Sequence, residues 1–133
     1  MNDCIDVKIY YEDTDCGGVV YYGKYLAYLE RARTEYLEDR GIKLAELMYE
    51  GINFVVVHVN ISYKMPAKYG DVLSVCSEVQ EKASASVIFS HKIYRKGTKE
   101  VIAVATVRLA CVDRGLRPIK MKSFVADALE REL

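Results

Sequence analysis

The chain has 133 residues, 51% of them hydrophobic and 29% charged, which suits a single packed domain spanning 1–133 and argues against disorder. Lysine plus arginine equals aspartate plus glutamate at 19 each, so no overall field draws nucleic acid or an anionic membrane. The polar, acidic start (Met1 to Asp6) is unlike a secretory leader, and no apolar run reaches the ~18 residues of a membrane span, so a cytoplasmic protein without nucleic-acid or integral membrane contact is expected.

In chain order, Ile5, Val7, Ile9 and Tyr11 alternate with polar or aromatic neighbours, the period of a half-buried strand. A polar turn follows, Asp13-Thr14-Asp15-Cys16-Gly17-Gly18. From Gly23 to Arg40 the apolar spacing changes to three and four (Leu26, Leu29, Ala32, Tyr36, Leu37), which predicts one long helix with Gly41 as its stop. A short helix is expected over Leu44 to Tyr49. The β-branched run from Phe54 to Tyr63 reads as a strand ended by Pro66. Val72 to Lys82, Ala85 to Arg95 and Glu100 to Val112 complete the strands, the last two joined at Lys96-Gly97-Thr98, and a short amphipathic helix covers Ser123 to Leu133. This order fits an α+β domain in which an antiparallel sheet wraps one long central helix. A sheet of this size has edges to cover, and eleven tyrosines favour interfaces, so a homodimer or homotetramer is expected.

Cys4, Cys16, Cys76 and Cys111 are widely spaced, without a Cys-x-x-Cys pair, and the chain has only His58 and His91 to join them. Four reduced thiols, some in the core, and no metal site are the expectation.

The chemistry concentrates in Tyr11 to Tyr25. Two carboxylates flank a threonine, and paired glycines then lead into the longest helix. A helix N-terminus presents free N–H groups and a positive dipole end, which suit a developing oxyanion. A carboxylate beside them can serve as nucleophile or as base on water, the needs of acyl transfer. The same residues also suit a plain turn and helix cap, and spacing alone does not separate these readings. Cys16 has no histidine near it in sequence and reads as a non-nucleophile. Glu30 and Arg33, three apart on the helix, are expected to pair or to bond the sheet.

Tyr11-Glu12-Asp13-Thr14-Asp15, Gly17-Gly18-Val19-Val20-Tyr21, Tyr25 and Glu30-Arg31-Ala32-Arg33-Thr34-Glu35 together resemble the signature of hot-dog thioesterases of the 4-hydroxybenzoyl-CoA thioesterase type, more closely their YbgC-like branch. Phe54-Val55-Val56, Tyr63, Pro66-Ala67 and Val112-Asp113 follow in that branch's order. The resemblance implies a hot-dog fold, hydrolysis of an acyl-CoA or acyl carrier protein thioester, and no cofactor besides the CoA of the substrate. It implies Asp15 as catalytic carboxylate and the Tyr22 backbone N–H as oxyanion donor. Substrate contacts are expected from Gly17, Gly18, Tyr21, Tyr25, Val56, His58 and Lys82, with Lys64 and Lys68 as further phosphate candidates. Three departures stand out. Tyr22 occupies a position where YbgC-like members commonly carry His, Lys24 one where Asn or Ser is common, and Ala83-Ser84-Ala85 the place of a basic cluster used for CoA phosphates. The alternative on the same fold is a non-hydrolytic module that binds acyl thioesters or scaffolds a complex.

Overall fold

A computed structural model describes residues 3–132. Its elements are β1 (Asp3–Lys8), a 3-10 turn (Tyr11–Asp13), α1 (Lys24–Asp39), α2 (Leu44–Tyr49), β2 (Asn53–Tyr63), β3 (Val72–Lys82), β4 (Ser86–Arg95), β5 (Val101–Val112) and α3 (Ser123–Glu130). The strands form one antiparallel sheet in the order β1-β3-β4-β5-β2. Among the described residues no helix is long and apolar enough to cross a membrane.

The alternation in β1 buries Val7 and, just beyond the strand, Ile9, but the pattern stops there. Tyr11 belongs to the 3-10 turn and faces solvent. Helix α1 lays its apolar stripe on the sheet, burying Tyr25, Tyr28, Leu29, Ala32, Tyr36 and Leu37 against residues such as Val75, Val87 and Phe89. The Tyr36 and Phe89 rings meet edge to face at 5.3 Å. Gly41, at φ +83°, ends the helix, and Ile42 N–H returns to Leu37 O at 2.9 Å, so two otherwise orphaned groups are satisfied.

Arg40 fastens this end. Its guanidinium donates to both Asp3 carboxylate oxygens (2.9 and 3.1 Å) and to Arg131 O (2.7 Å), and it stacks on the Tyr36 ring.

Two further features depart from the sequence-based expectation. Cys4 and Cys76 are register partners on β1 and β3 and are joined by a disulfide, so only Cys16 and Cys111 are free thiols, not four. Their separation of 72 residues hides a pairing that only strand register creates. In β2, Val56 opposes Leu109 and His58 opposes Arg108, leaving Val57 as an extra, bulged residue. Val57 and His58, which strict strand alternation would put on opposite faces, therefore share the outer groove with Gln80, Ile88, Thr106 and Arg108. Val56 and Val59 face the inner side, toward α1.

Candidate active site

The loop between the 3-10 turn and α1 is a tight reversal. Asp15 N–H donates to Val19 O (2.9 Å) and Gly18 N–H to Asp15 O (3.1 Å), while Thr14 and Val20 form a bridge. Gly18 makes the turn at φ +78°, a conformation costly for any residue with a β-carbon. The Gly17 N–H donates to Asp15 Oδ1 at 2.8 Å, which fixes the carboxylate over the turn. The segment Ala67–Tyr69 lies along the loop: Val20 N–H reaches Ala67 O (2.9 Å), Val19 bridges to Lys68, and Tyr69 N–H reaches Gly18 O (3.3 Å).

The two aspartates of the motif have opposite environments. Asp13 is buried, takes the Tyr10 N–H on Oδ2 at 2.8 Å, and lies 3.6 Å from Lys24 Nζ. Its backbone carbonyl accepts the Tyr21 N–H at 2.9 Å. Burial first, and the Asp13 carboxylate second, push the Tyr28 hydroxyl well above its ordinary pKa. Asp15 is exposed and has only the Gly17 N–H as side-chain partner among the described residues. Asp13 therefore builds the turn, and Asp15 is presented by it.

At the start of α1 the Tyr21 N–H goes to Asp13 O and the Lys24 N–H to Tyr21 O, whereas the Tyr22 N–H has no acceptor among the described residues. The Tyr22 carbonyl accepts from the Tyr63 hydroxyl at 3.1 Å, which ties the turn to the end of β2. Asp15 and an unclaimed backbone donor thus belong to one braced loop at the positive end of a 16-residue helix.

The remaining sequence candidates scatter. Tyr21 stays at the surface, its ring 4.7 Å from that of Tyr22 and close enough to Gly23 that a β-carbon there would stand 3.0 Å away. Tyr25 is buried, accepting the Ala67 N–H on its hydroxyl, and so braces the loop from beneath. Val56 lines a cavity of about 540 Å³ between α1, α2 and the β2–β5 side of the sheet. His58 lies on the other side of the sheet. The Lys82 ammonium is committed to α3, with Glu130 Oε1 at 2.8 Å and Ala126 O at 3.3 Å. Of the lysines proposed for phosphate contact, Lys68 is the one whose backbone touches the glycine loop. Tyr63 and Arg33 gain their surroundings only by long-range packing. Arg33 meets His91 of β4 and makes no hydrogen bond to Glu30, so of the two expected arrangements the bond to the sheet is the one formed.

The match to the family model for the thioesterase-like superfamily runs over residues 10–129, from the 3-10 turn through α3. The chain belongs to the thioesterase-like superfamily. It is a thioester hydrolase by that membership, on the hot-dog fold. It is 43% identical over 124 residues to an acyl-CoA thioesterase YbgC of Haemophilus influenzae, covering 92% of this chain and 90% of that one. It is 39% identical over 116 residues to an acyl-CoA thioester hydrolase YbgC of Escherichia coli O6:H1, covering 87% and 83%. A solved structure of a hypothetical protein from Thermus thermophilus matches with a TM-score of 0.89 at 29% identity, over 96% of this chain and 97% of that one. A 1,4-dihydroxy-2-naphthoyl-CoA thioesterase from Synechocystis matches with a TM-score of 0.88 over 95% and 93%; at 21% identity it shows the shared fold.

Proposed function

We propose that this protein hydrolyses acyl-CoA thioesters, with Asp15 as the reacting carboxylate and the Tyr22 N–H as oxyanion donor. The observation that carries this reading is the division of labour in the loop: Asp13 is consumed by structure, while Asp15 and the Tyr22 N–H are left available. The thioester carbonyl oxygen approaches the Tyr22 N–H at the positive end of α1, where developing negative charge is stabilised. Asp15 either attacks the carbonyl carbon or takes a proton from water that attacks it. In the first route the new C–O bond makes a mixed anhydride as the C–S bond breaks, and water then hydrolyses it; in the second the water oxygen bonds the carbon directly as the C–S bond breaks. In both, water gives the acid its oxygen and one proton and gives the departing sulfur the other, so CoA leaves as thiol. The reaction as written uses no metal or redox group, and CoA is part of the substrate.

A second copy of the chain, as homodimer or within a homotetramer, completes the proposed site. Asp15 is exposed in the single chain, and acyl transfer gains from excluding water. Strand β2 is a sheet edge, with Val56 and Val57 about half exposed, and its terminal Tyr63 bonds the Tyr22 carbonyl. A strand added there would cover the edge and abut the loop.

The test is thiol release from short aliphatic, long aliphatic and hydroxybenzoyl CoA esters, and from acyl carrier protein esters, by wild type and Asp15→Asn. Loss of at least about a hundredfold in the variant, at unchanged fold and assembly, is expected for a reacting carboxylate. Equal rates would remove Asp15 from the mechanism. Binding without turnover in the wild type would support the acyl-thioester binding module instead.

A further inference from the structure

Arg33 is a buried cation with no carboxylate partner among the described residues. It is 7% exposed, and its one hydrogen-bond partner among the described residues is His91 Nε2, 3.4 Å from Nη1. The His91 Nδ1 lies 3.2 Å from Cys76 O, which can only accept, so Nδ1 carries the proton and Nε2 accepts from Arg33. Ser77 Oγ, 3.1 Å from Nδ1, completes the group. Burial, and then the neighbouring Arg33 charge, lower the His91 pKa to about 4, so the imidazole offers Arg33 no compensating charge near neutrality. Burial also lowers Arg33, to about 10, where it is still charged. Arg40, also buried and just past the end of the same helix, has donors answered by the Asp3 carboxylate and by carbonyls. A buried guanidinium is costly unless paired, and Arg33 keeps donors that meet no partner among the described residues and that are not sealed from the space beside them.

Arg33 lines the cavity of about 540 Å³, whose other walls include Leu26, Leu29, Leu37, Phe54, Val59 and Leu109. Its other polar lining is Glu30 and Thr34. Glu30 is exposed, and its charge favours the ionised Arg33 without bonding it. Along α1 the cavity lining runs from Leu26 to Leu37, and the nine residues from Lys24 to Arg33, at 1.5 Å each, put Arg33 about 14 Å from the end of the helix that follows the Tyr22 N–H.

We infer that this cavity takes the acyl group and that Arg33 reads a carboxylate at its far end, so that the substrate class is a medium-chain ω-carboxyacyl thioester. The inference rests on the thioesterase reading for the position of the carbonyl. Aliphatic walls accept the methylene chain, and a guanidinium suits a terminal carboxylate in bidentate fashion. The small exposed area of Arg33 admits a slender chain more readily than the surface carboxylate of another protein. Arg33 acts here in specificity, not in bond cleavage.

The experiment compares kcat/KM for decanoyl-CoA and for the CoA ester of decanedioate, in wild type, Arg33→Lys and Arg33→Met. A wild-type preference on the order of tenfold for the ω-carboxy ester is expected, as for one charge-assisted interaction. It should shrink in Arg33→Lys and vanish or invert in Arg33→Met. Calorimetric binding of free decanedioate against decanoate reads the same preference without turnover, so an inactive wild type that still prefers the diacid defeats the thioesterase reading and keeps Arg33's role. If the wild type treats both acids and both esters alike, or Arg33→Met keeps the preference, the inference is overturned. Arg33→Met changing only the molar mass in light scattering would make Arg33 an interface cation and also overturn it. Should Arg33→Met fail to fold, the wild-type and Arg33→Lys ratios still decide.

Discussion

The Gly17 N–H donates to Asp15 Oδ1 across 2.8 Å, and a β-carbon on Gly17 would stand 3.3 Å from that same oxygen. The residue that orients the carboxylate is therefore also the one whose missing side chain leaves room for it. Gly18, next along, has free space around it but needs its left-handed backbone. Two adjacent glycines thus act through different physics, sterics at one and torsion at the other.

That difference is measurable. Gly17→Ala should leave stability near wild type and lower kcat roughly tenfold by displacing the Asp15 carboxylate a few tenths of an ångström. Gly18→Ala should instead cost about 1 kcal/mol of stability from the φ penalty. Thermal melts beside acyl-CoA kinetics check both, and equal melting losses would show that torsion governs the whole turn.

Asp13 should behave as a structural residue. Asp13→Ala removes the acceptor of the Tyr10 N–H and leaves a part-buried donor unmet, for a loss of about 1 kcal/mol. Asp15→Asn should leave the urea midpoint unchanged. A reversed order of midpoints would mean that the motif's two carboxylates have been assigned the wrong way round.

The Cys4–Cys76 bond should be found by counting thiols. Denatured, unreduced protein should yield two titratable thiols, from Cys16 and Cys111. Reduction should lower stability by about 2–4 kcal/mol, because the bond closes a long loop in the unfolded chain. Four thiols before reduction would show β1 held by strand pairing alone.

His91 predicts a pH dependence. Its folded pKa of about 4 lies below the ordinary 6.5, so the unfolded chain binds the extra proton between these values. The associated stability is fully present above about pH 6.5 and falls away as pH drops toward 4, by about 3 kcal/mol in total. Urea unfolding at pH 4.5 and 7.5 should show that loss in wild type and less of it in His91→Gln, which removes the titrating ring. Parallel slopes in the two proteins would place the acid sensitivity elsewhere.

Most of the fold was legible because it is written locally. Apolar residues at three- and four-residue spacing mark α1, which runs Lys24–Asp39 against an expected Gly23 to Arg40, and β3 spans the expected Val72–Lys82. The alternation to Tyr11 overshoots the first strand, which ends at Lys8, because the Tyr10 N–H turns to the Asp13 carboxylate instead of to a neighbouring strand. The expected helix at the tail ends at Glu130, and its last expected residue, Leu133, lies outside the described residues.

The Asp13-to-Gly18 motif was legible too, as neighbours in sequence that remain neighbours in space. What the sequence by itself determined is the set of elements, the α+β class they imply and the turn that presents Asp15, whose own hydrogen bonds join residues only a few apart. Only the tertiary structure decided that Cys4 meets Cys76, that the Val57 bulge turns His58 to the outer face, that Lys82 is spent on α3, and that Arg33 rests on His91. Each depends on strand register or on helix docking across tens of residues. One bulged residue is enough to exchange the faces of a strand, because side chains alternate with a period of two.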